Sequence, residues 1–256
     1  MDTLSICLLE YDILWENPQL NFDKINSLIT GVEVDIFILP EMFSTGFTMS
    51  PEKNAEPIFG PSFKFLQKKS LEKNAVFCGS IPTKIHGQYY NRLYWVEPNE
   101  TFVIYDKRHL FTLVGEEKHY SPGQERKVID YKGWKLMPQV CYDLRFPVWS
   151  RNDMNYDVVF YIANWPEKRK TAWLSLLKAR AIENMSYSIG VNRTGEDQTG
   201  IMHSGDSRCF DPLGEKMKNL SKKSEVLIFE LHKKDLNQMR EKFKFLEDQD
   251  KFEIID

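Results

Sequence analysis

Hydrophobic and polar positions along the chain fall into two kinds of block. Short runs rich in β-branched and aromatic residues, at 4–9, 34–39, 75–80, 89–96, 101–105, 136–141, 158–162, 188–191 and 226–230, read as strands. Many are apolar at every position, which is the pattern of a sheet covered on both faces. Between them lie segments with helical spacing. Residues 20–29 place Phe22, Ile25 and Leu28/Ile29 on one face, and residues 61–74 open with Pro61 in the first turn. A longer helix is predicted after Asn164-Trp165-Pro166, where Trp173, Leu174, Leu177, Ala181 and Ile182 recur at three-to-four spacing with Lys and Arg opposite. The alternation makes the chain α/β. Residues 89–96 and 101–105 form a hairpin across Glu97-Pro98-Asn99-Glu100, so the sheets are expected to be mixed and not purely parallel.

Composition narrows this only modestly. An apolar content of 42% and a charged content of 28% belong to a globular chain with a substantial core. No repeat, low-complexity stretch or Gly/Ser/Pro linker divides it, so residues 1–256 are expected to be a single domain. Acids and bases are interspersed with a formal net charge of −3, which lacks the basic footprint of a nucleic-acid partner and favours small-molecule ligands. No apolar run approaches the about 20 residues of a membrane helix, and no export signal opens the chain; a cytoplasmic location is expected. Cys7, Cys78, Cys141 and Cys209 are scattered, with neither disulfide nor metal spacing.

Three strand ends deliver reactive groups. Cys141 closes an apolar run and is followed by the polar Asp143 and Arg145, where a strand gives way to a turn. A free thiol titrates near about 8.5, so a nucleophilic Cys141 needs a neighbouring base or cation. Cys7, Cys78 and Cys209 read as buried small hydrophobes. Glu41 follows the apolar run 36–39 and Pro40; partial desolvation there suits it to proton transfer, and an exposed loop glutamate is the alternative. Lys107 ends the run 101–105, where an ammonium stabilises an oxyanion and favours a thiolate; the alternative is a solvated Lys-Arg pair. His109 offers a rival cysteine–histidine pairing, or a packed structural ring.

The phrases Leu-Pro-Glu-Met-Phe (39–43), Tyr-Asp-Lys-Arg-His-Leu-Phe (105–111) and Val-Cys-Tyr-Asp-Leu-Arg-Phe-Pro (140–147) resemble the Glu–Lys–Cys signature of the nitrilase superfamily of carbon–nitrogen hydrolases, in order and over essentially the whole chain. Ser44-Thr45-Gly46-Phe47, Pro147-Val148-Trp149-Ser150-Arg151, Ala163-Asn164-Trp165-Pro166 and Ala179-Arg180-Ala181-Ile182-Glu183-Asn184 resemble its ω-amidase branch. The resemblance implies a four-layer α-β-β-α sandwich, two mixed sheets with helices outside. It implies hydrolysis of α-ketoglutaramate and α-ketosuccinamate to keto acid and ammonia. Glu41 would be the general base, Lys107 and the backbone N–H of Tyr142 the oxyanion donors, and Cys141 the carrier of a thioester. A further glutamate precedes a Ser-Pro-Gly turn in the family, here Ser121-Pro122-Gly123; Glu116 fits that register and Glu117 is its neighbour. Pairing into a homodimer or a higher assembly is also implied, and no cofactor or metal.

A carboxylate-bearing substrate calls for a fixed guanidinium; Arg145, four residues beyond Cys141, matches an arginine that the resemblance places near the substrate, with an ion pair to Asp143 as the structural alternative. Lys168 and Arg169 stand near the same place but are not chosen; Trp165 is taken as a wall of the site or as core. Two other classes stay open: a thiol enzyme pairing Cys141 with His109 or His203, and a non-catalytic carboxylate-binding member of the fold.

Overall fold

The computed structural model describes residues 2–255. Its strands are β1 (Thr3–Leu9), β2 (Ile36–Ile38), β3 (Glu56–Pro57), β4 (Val76–Ile85), β5 (Gln88–Val96), β6 (Phe102–Asp106), β7 (Ile129–Tyr131), β8 (Trp134–Val140), β9 (Val158–Ala163), β10 (Tyr187–Asn192), β11 (Thr194–Glu196), β12 (Met202–Ser204), β13 (Arg208–Phe210) and β14 (Val226–His232). The helices are α1 (Pro18–Ile29), α2 (Pro51–Asn54), α3 (Pro61–Lys73), α4 (Lys170–Asn184) and α5 (Lys233–Phe243). One sheet runs β14-β1-β2-β4-β5-β6, with β3 beside β4; a second runs β13-β10-β9-β8-β7. Both are mixed. β1, β2 and β4 are parallel neighbours, as are β8, β9 and β10, while β4-β5-β6 is an antiparallel meander.

Period-two alternation sorts the first sheet's side chains into two cores. Leu4, Ile6, Leu8, Ile36, Ile38, Val76, Cys78, Leu93 and Trp95 face inward and pack with the second sheet. Their chain neighbours Cys7, Leu9, Phe37, Phe77, Tyr94 and Val96 face outward, where Ile25, Leu28 and Ile29 of α1 and Phe63, Phe65 and Leu66 of α3 cover them. In the second sheet β9 and β10 are buried at every position, and α4 packs over β10. Gly190 allows that approach: a Cβ there would stand 2.3 Å from a methyl of Leu177 and 2.5 Å from Trp173. The result is the four-layer α-β-β-α sandwich with helices outside. Among the described residues no helix is long and apolar enough to cross a membrane.

Several boundaries differ from the sequence reading. α1 begins at Pro18, since Asn17 Oδ1 accepts from Leu20 N at 3.2 Å and proline suits the first turn. The strand expected over 75–80 continues to Ile85, because pairing with β5 extends it through polar positions. α5 is absent from the reading; its sequence is polar, and Leu236 is its only buried residue. β8 stops at Val140, so Cys141 does not belong to the strand but opens a 3-10 turn, Cys141–Arg145.

Candidate active site

The ends of β2, β6, β8 and β9 converge where the two sheets meet, outside the carboxyl ends of the parallel strands, the usual position for a ligand in an open α/β sheet. Glu41 stands just beyond β2, Lys107 just beyond β6, Cys141 just beyond β8 and Asn164 just beyond β9.

Lys107 is the centre of a sealed socket. Its Nζ donates to Glu41 Oε1 at 2.9 Å and to Glu116 Oε1 and Oε2 at 3.0 and 2.8 Å, and all three side chains are completely buried. Each carboxylate is held further from outside. Glu41 Oε1 accepts from Asn91 Nδ2 at 2.8 Å, and its Oε2 accepts from the backbone N–H of Asn164 at 2.9 Å. Asn164 Nδ2 donates to the carbonyl of Glu41 at 2.6 Å. Glu116 Oε2 accepts the N–H of Phe111 at 2.6 Å, which ties the 3-10 turn Glu116–Lys118 to the loop before it. The Ser-Pro-Gly turn beyond Glu116 closes tightly: Gly123 N donates to the carbonyl of Lys107 at 2.8 Å, and a Cβ at Gly123 would lie 2.1 Å from the carbonyl oxygen of Asp106. Glu117 is exposed and takes no part.

Such burial opposes charge, and the group resolves the conflict by pairing. Desolvation works against the Lys107 ammonium, but Glu116 and Glu41 outweigh it and raise its pKa well above the ordinary lysine value. Burial raises the Glu116 carboxyl above its usual value, with Lys107 pulling the other way and Glu41 adding to the rise. The Cys141 thiol is pushed well above its ordinary range, first by burial and then by Glu41; Lys107 pulls it down, but by less. The thiolate-favouring pull expected of Lys107 is present, but it is the smaller effect.

Asp143 fixes the turn that presents Cys141. Its Oδ2 accepts from the N–H of Val140 at 2.9 Å and from Tyr105 OH at 2.7 Å, and its Oδ1 meets the backbone N and ring Nδ1 of His109 at 2.9 and 2.8 Å. One carboxylate thus binds the end of β8 to the end of β6. It also holds Cys141 at φ 45°, a left-handed conformation worth on the order of 1–3 kcal/mol of strain in a non-glycine residue. The suggested ion pair between Asp143 and Arg145 is not formed, because Asp143 is engaged with these four groups. His109 is likewise committed, stacked on Phe146 at 3.7 Å between ring centroids, and it lines a separate surface depression. Among the described residues no hydrogen bond joins His109 or His203 to Cys141.

Cys141 opens onto a small cavity of about 60 Å3, whose wall includes Phe111, Tyr142, Arg145, Trp165, Arg169 and His203. The Tyr142 N–H is among the first of a helical turn, which find no partner inside it. Arg145 lies 5.0 Å over the ring of Trp165, and Trp165 is 3% exposed with its Nε1–H donating to the carbonyl of Arg169 at 2.9 Å. Lys168 is exposed outside the wall, whereas Arg169 belongs to it. A larger hollow of about 430 Å3 lies over Arg92 and Asp106, away from these groups. Asn91 and Asn164 were not singled out from the sequence, and Arg169 was weighed there but not chosen. Asn164 had a signal, a polar residue just past a buried run; Asn91 had a weaker one, an amide inside a strand.

The arrangement brings a proton acceptor, a fixed cation and a thiol to one water-poor point beside a small cavity, and among the described residues no cluster of His, Cys, Asp and Glu is set to hold a metal. The Carbon-nitrogen hydrolase family profile matches residues 5–241. Omega-amidase YafV of Yersinia enterocolitica is 41% identical over 257 residues, covering 100% of both chains. A 2-oxoglutaramate amidase of Bacillus subtilis is 29% identical, with 95% of this chain and 96% of that protein covered. Among solved structures, a CN-hydrolase superfamily protein of Xanthomonas campestris, described with an arsenic adduct in its active site, is 35% identical with a TM-score of 0.95, over 99% of this chain and 100% of its own. The chain belongs to the carbon–nitrogen hydrolase family. Its reaction is the hydrolysis of amide carbon–nitrogen bonds.

Proposed function

We propose that the protein hydrolyses the terminal amide of small 2-oxo carboxylic acids, α-ketoglutaramate and α-ketosuccinamate, to the keto acid and ammonia through a thioester on Cys141. The observation that carries this reading is Lys107 Nζ held between Glu41 and Glu116 in a sealed socket at the mouth of which the thiol stands. The similarity to Omega-amidase YafV and to a 2-oxoglutaramate amidase supports the substrate.

The chemistry follows from a neutral thiol beside a carboxylate. Glu41 takes the Cys141 proton as sulfur attacks the amide carbon. The resulting oxyanion is met by Lys107 and by the Tyr142 N–H. Glu41 returns the proton to the departing nitrogen, ammonia leaves and the thioester remains. Water then enters, Glu41 takes its proton, and collapse of the second tetrahedral adduct releases the acid and the thiolate, which recovers the proton. Glu116 keeps Lys107 charged and aimed. Arg145 grips the substrate carboxylate and Trp165 walls the pocket. Residues 1–256 are read as one domain acting in the cytoplasm without cofactor, as a homodimer or higher assembly; the family match across 5–241 supports the single domain.

The test is ammonia release from α-ketoglutaramate, glutamine, a small nitrile and an N-carbamoyl amino acid. Activity confined to the first and abolished in Cys141→Ala is expected. A strong loss in His109→Ala or His203→Ala with Glu41→Gln unaffected would move the base to histidine, and no ammonia or acyl adduct with any substrate would leave a carboxylate-binding module.

A further inference from the structure

Two guanidiniums line the cavity beside Cys141, and among the described residues neither is neutralised. Arg145 stacks over Trp165 at 5.0 Å and Arg169 over Phe111 at 5.2 Å. Among the described residues neither makes a hydrogen bond or ion pair with a carboxylate. Arg92, Arg126, Arg180, Arg193, Arg208 and Arg240, by contrast, each hold an acid within 4.0 Å. Half-buried guanidiniums ordinarily acquire such a partner, because removing the charge from water is costly without one. Two left unpaired on one small wall repel each other until a ligand brings negative charge between them.

The other polar groups of the wall do not neutralise them. Asp197 turns its Oδ1 into its own hairpin, accepting from Thr199 N, Thr199 Oγ and Ile201 N at 2.8, 2.7 and 3.1 Å. His203 is 4% exposed, and burial, with Arg193 beside it, lowers its pKa and keeps the ring neutral. The backbone also gives Arg169 a fixed base: its carbonyl accepts from Trp165 Nε1, and its N–H donates to the carbonyl of Pro166 at 2.9 Å. The aromatic ring beneath each guanidinium pre-sets its plane, so little side-chain freedom is lost when an anion binds.

We infer that Arg169 is a second substrate anchor: Arg145 takes the carboxylate and Arg169 the adjoining 2-oxo oxygen, so that the pair reads the two neighbouring oxygen functions of a 2-oxo acid. An amine in place of the oxo group would bring a third cation against Arg169. This inference rests on the amidase reading above for its substrate, while the residue assignment stands on the unpaired wall.

The experiment compares wild type, Arg169→Met and Arg169→Lys with 2-oxoglutaramate and with glutaramate, the same chain without the oxo group, measuring kcat and KM separately. Arg169→Met is expected to raise KM for 2-oxoglutaramate by about 30- to 100-fold with kcat held within about threefold, and KM for glutaramate by less than about fivefold, with Arg169→Lys recovering part of the loss. Equal rises for both substrates, no rise for 2-oxoglutaramate, or a loss confined to kcat would overturn the assignment. Calorimetric titration of 2-oxoglutarate into Cys141→Ala, with and without Arg169→Gln, gives a second readout. It needs no turnover: affinity should fall at least about tenfold with the second substitution, and an unchanged affinity overturns the assignment even where the wild type releases no ammonia.

Discussion

The socket around Lys107 and the wall around Arg145 and Arg169 lie on either side of Cys141 and treat positive charge in opposite ways. In the socket one ammonium is completely buried and shared by two carboxylates, themselves held by Asn91, Asn164 and Phe111. On the wall two guanidiniums are half-buried, backed by rings and, among the described residues, left without acids. A group that must steer a proton or an oxyanion has to stand still whether or not substrate is present, so its counter-charges are built in. A group that must recognise an anion keeps its donors vacant until the anion arrives. On the proposed mechanism, the difference separates the cation that serves chemistry from the two that serve selection.

Breaking the socket should have the largest effect. Lys107→Met leaves Glu41 and Glu116 sealed together without a cation; kcat is expected to fall by at least about a thousandfold, and urea unfolding to show a loss of about 3–5 kcal/mol. Retained stability would mean that the carboxylates are relieved by some other group. Breaking the wall is milder: Arg145→Ala should raise KM for the 2-oxo acid amide by about 10- to 100-fold and leave the melting temperature within a few degrees, because no internal partner is orphaned. A large loss of stability would show Arg145 to be structural.

The smallest effect sharpens the boundary between the two regions. Burial and Glu41 raise the Cys141 pKa, so the thiol is protonated near neutrality and the thiolate fraction grows only as pH rises. Iodoacetamide alkylation of the free enzyme should therefore accelerate by about tenfold per pH unit between pH 7 and 9 without levelling. A plateau below pH 8 would show a preformed thiolate and make Lys107 the stronger neighbour.

Two residues of the socket, Glu41 and Lys107, could be picked out because they end apolar strands, whereas Glu116 was named only through the family resemblance. Glu41 follows a buried run and Lys107 a largely apolar, half-buried one. Arg145 was chosen because it matches an arginine the family resemblance places near the substrate, and the alternative ion pair with Asp143 could be set aside only once Asp143 was seen bound to other groups. Arg169 looked like one basic residue of Lys168-Arg169-Lys170; only the turn before α4 separates the one that enters the wall from the one that faces water. His109 had equal claim to be a base until Asp143 and Phe146 were found on it.

Local pattern determined most of the strands, three of the helices and the order in which acid, cation and sulfur arrive, because alternation and helical periodicity are properties of near neighbours along the chain. Helix α5 and the short strands β3, β7, β11, β12 and β13 carry too little apolar periodicity to announce themselves. Tertiary structure alone decided who pairs with whom: Asn164 reaches Glu41 across 123 positions and Lys107 reaches it across 66. An ion pair, a vacant guanidinium or a raised thiol pKa depends on distance and desolvation in space, and these exist only once the two sheets have closed on each other.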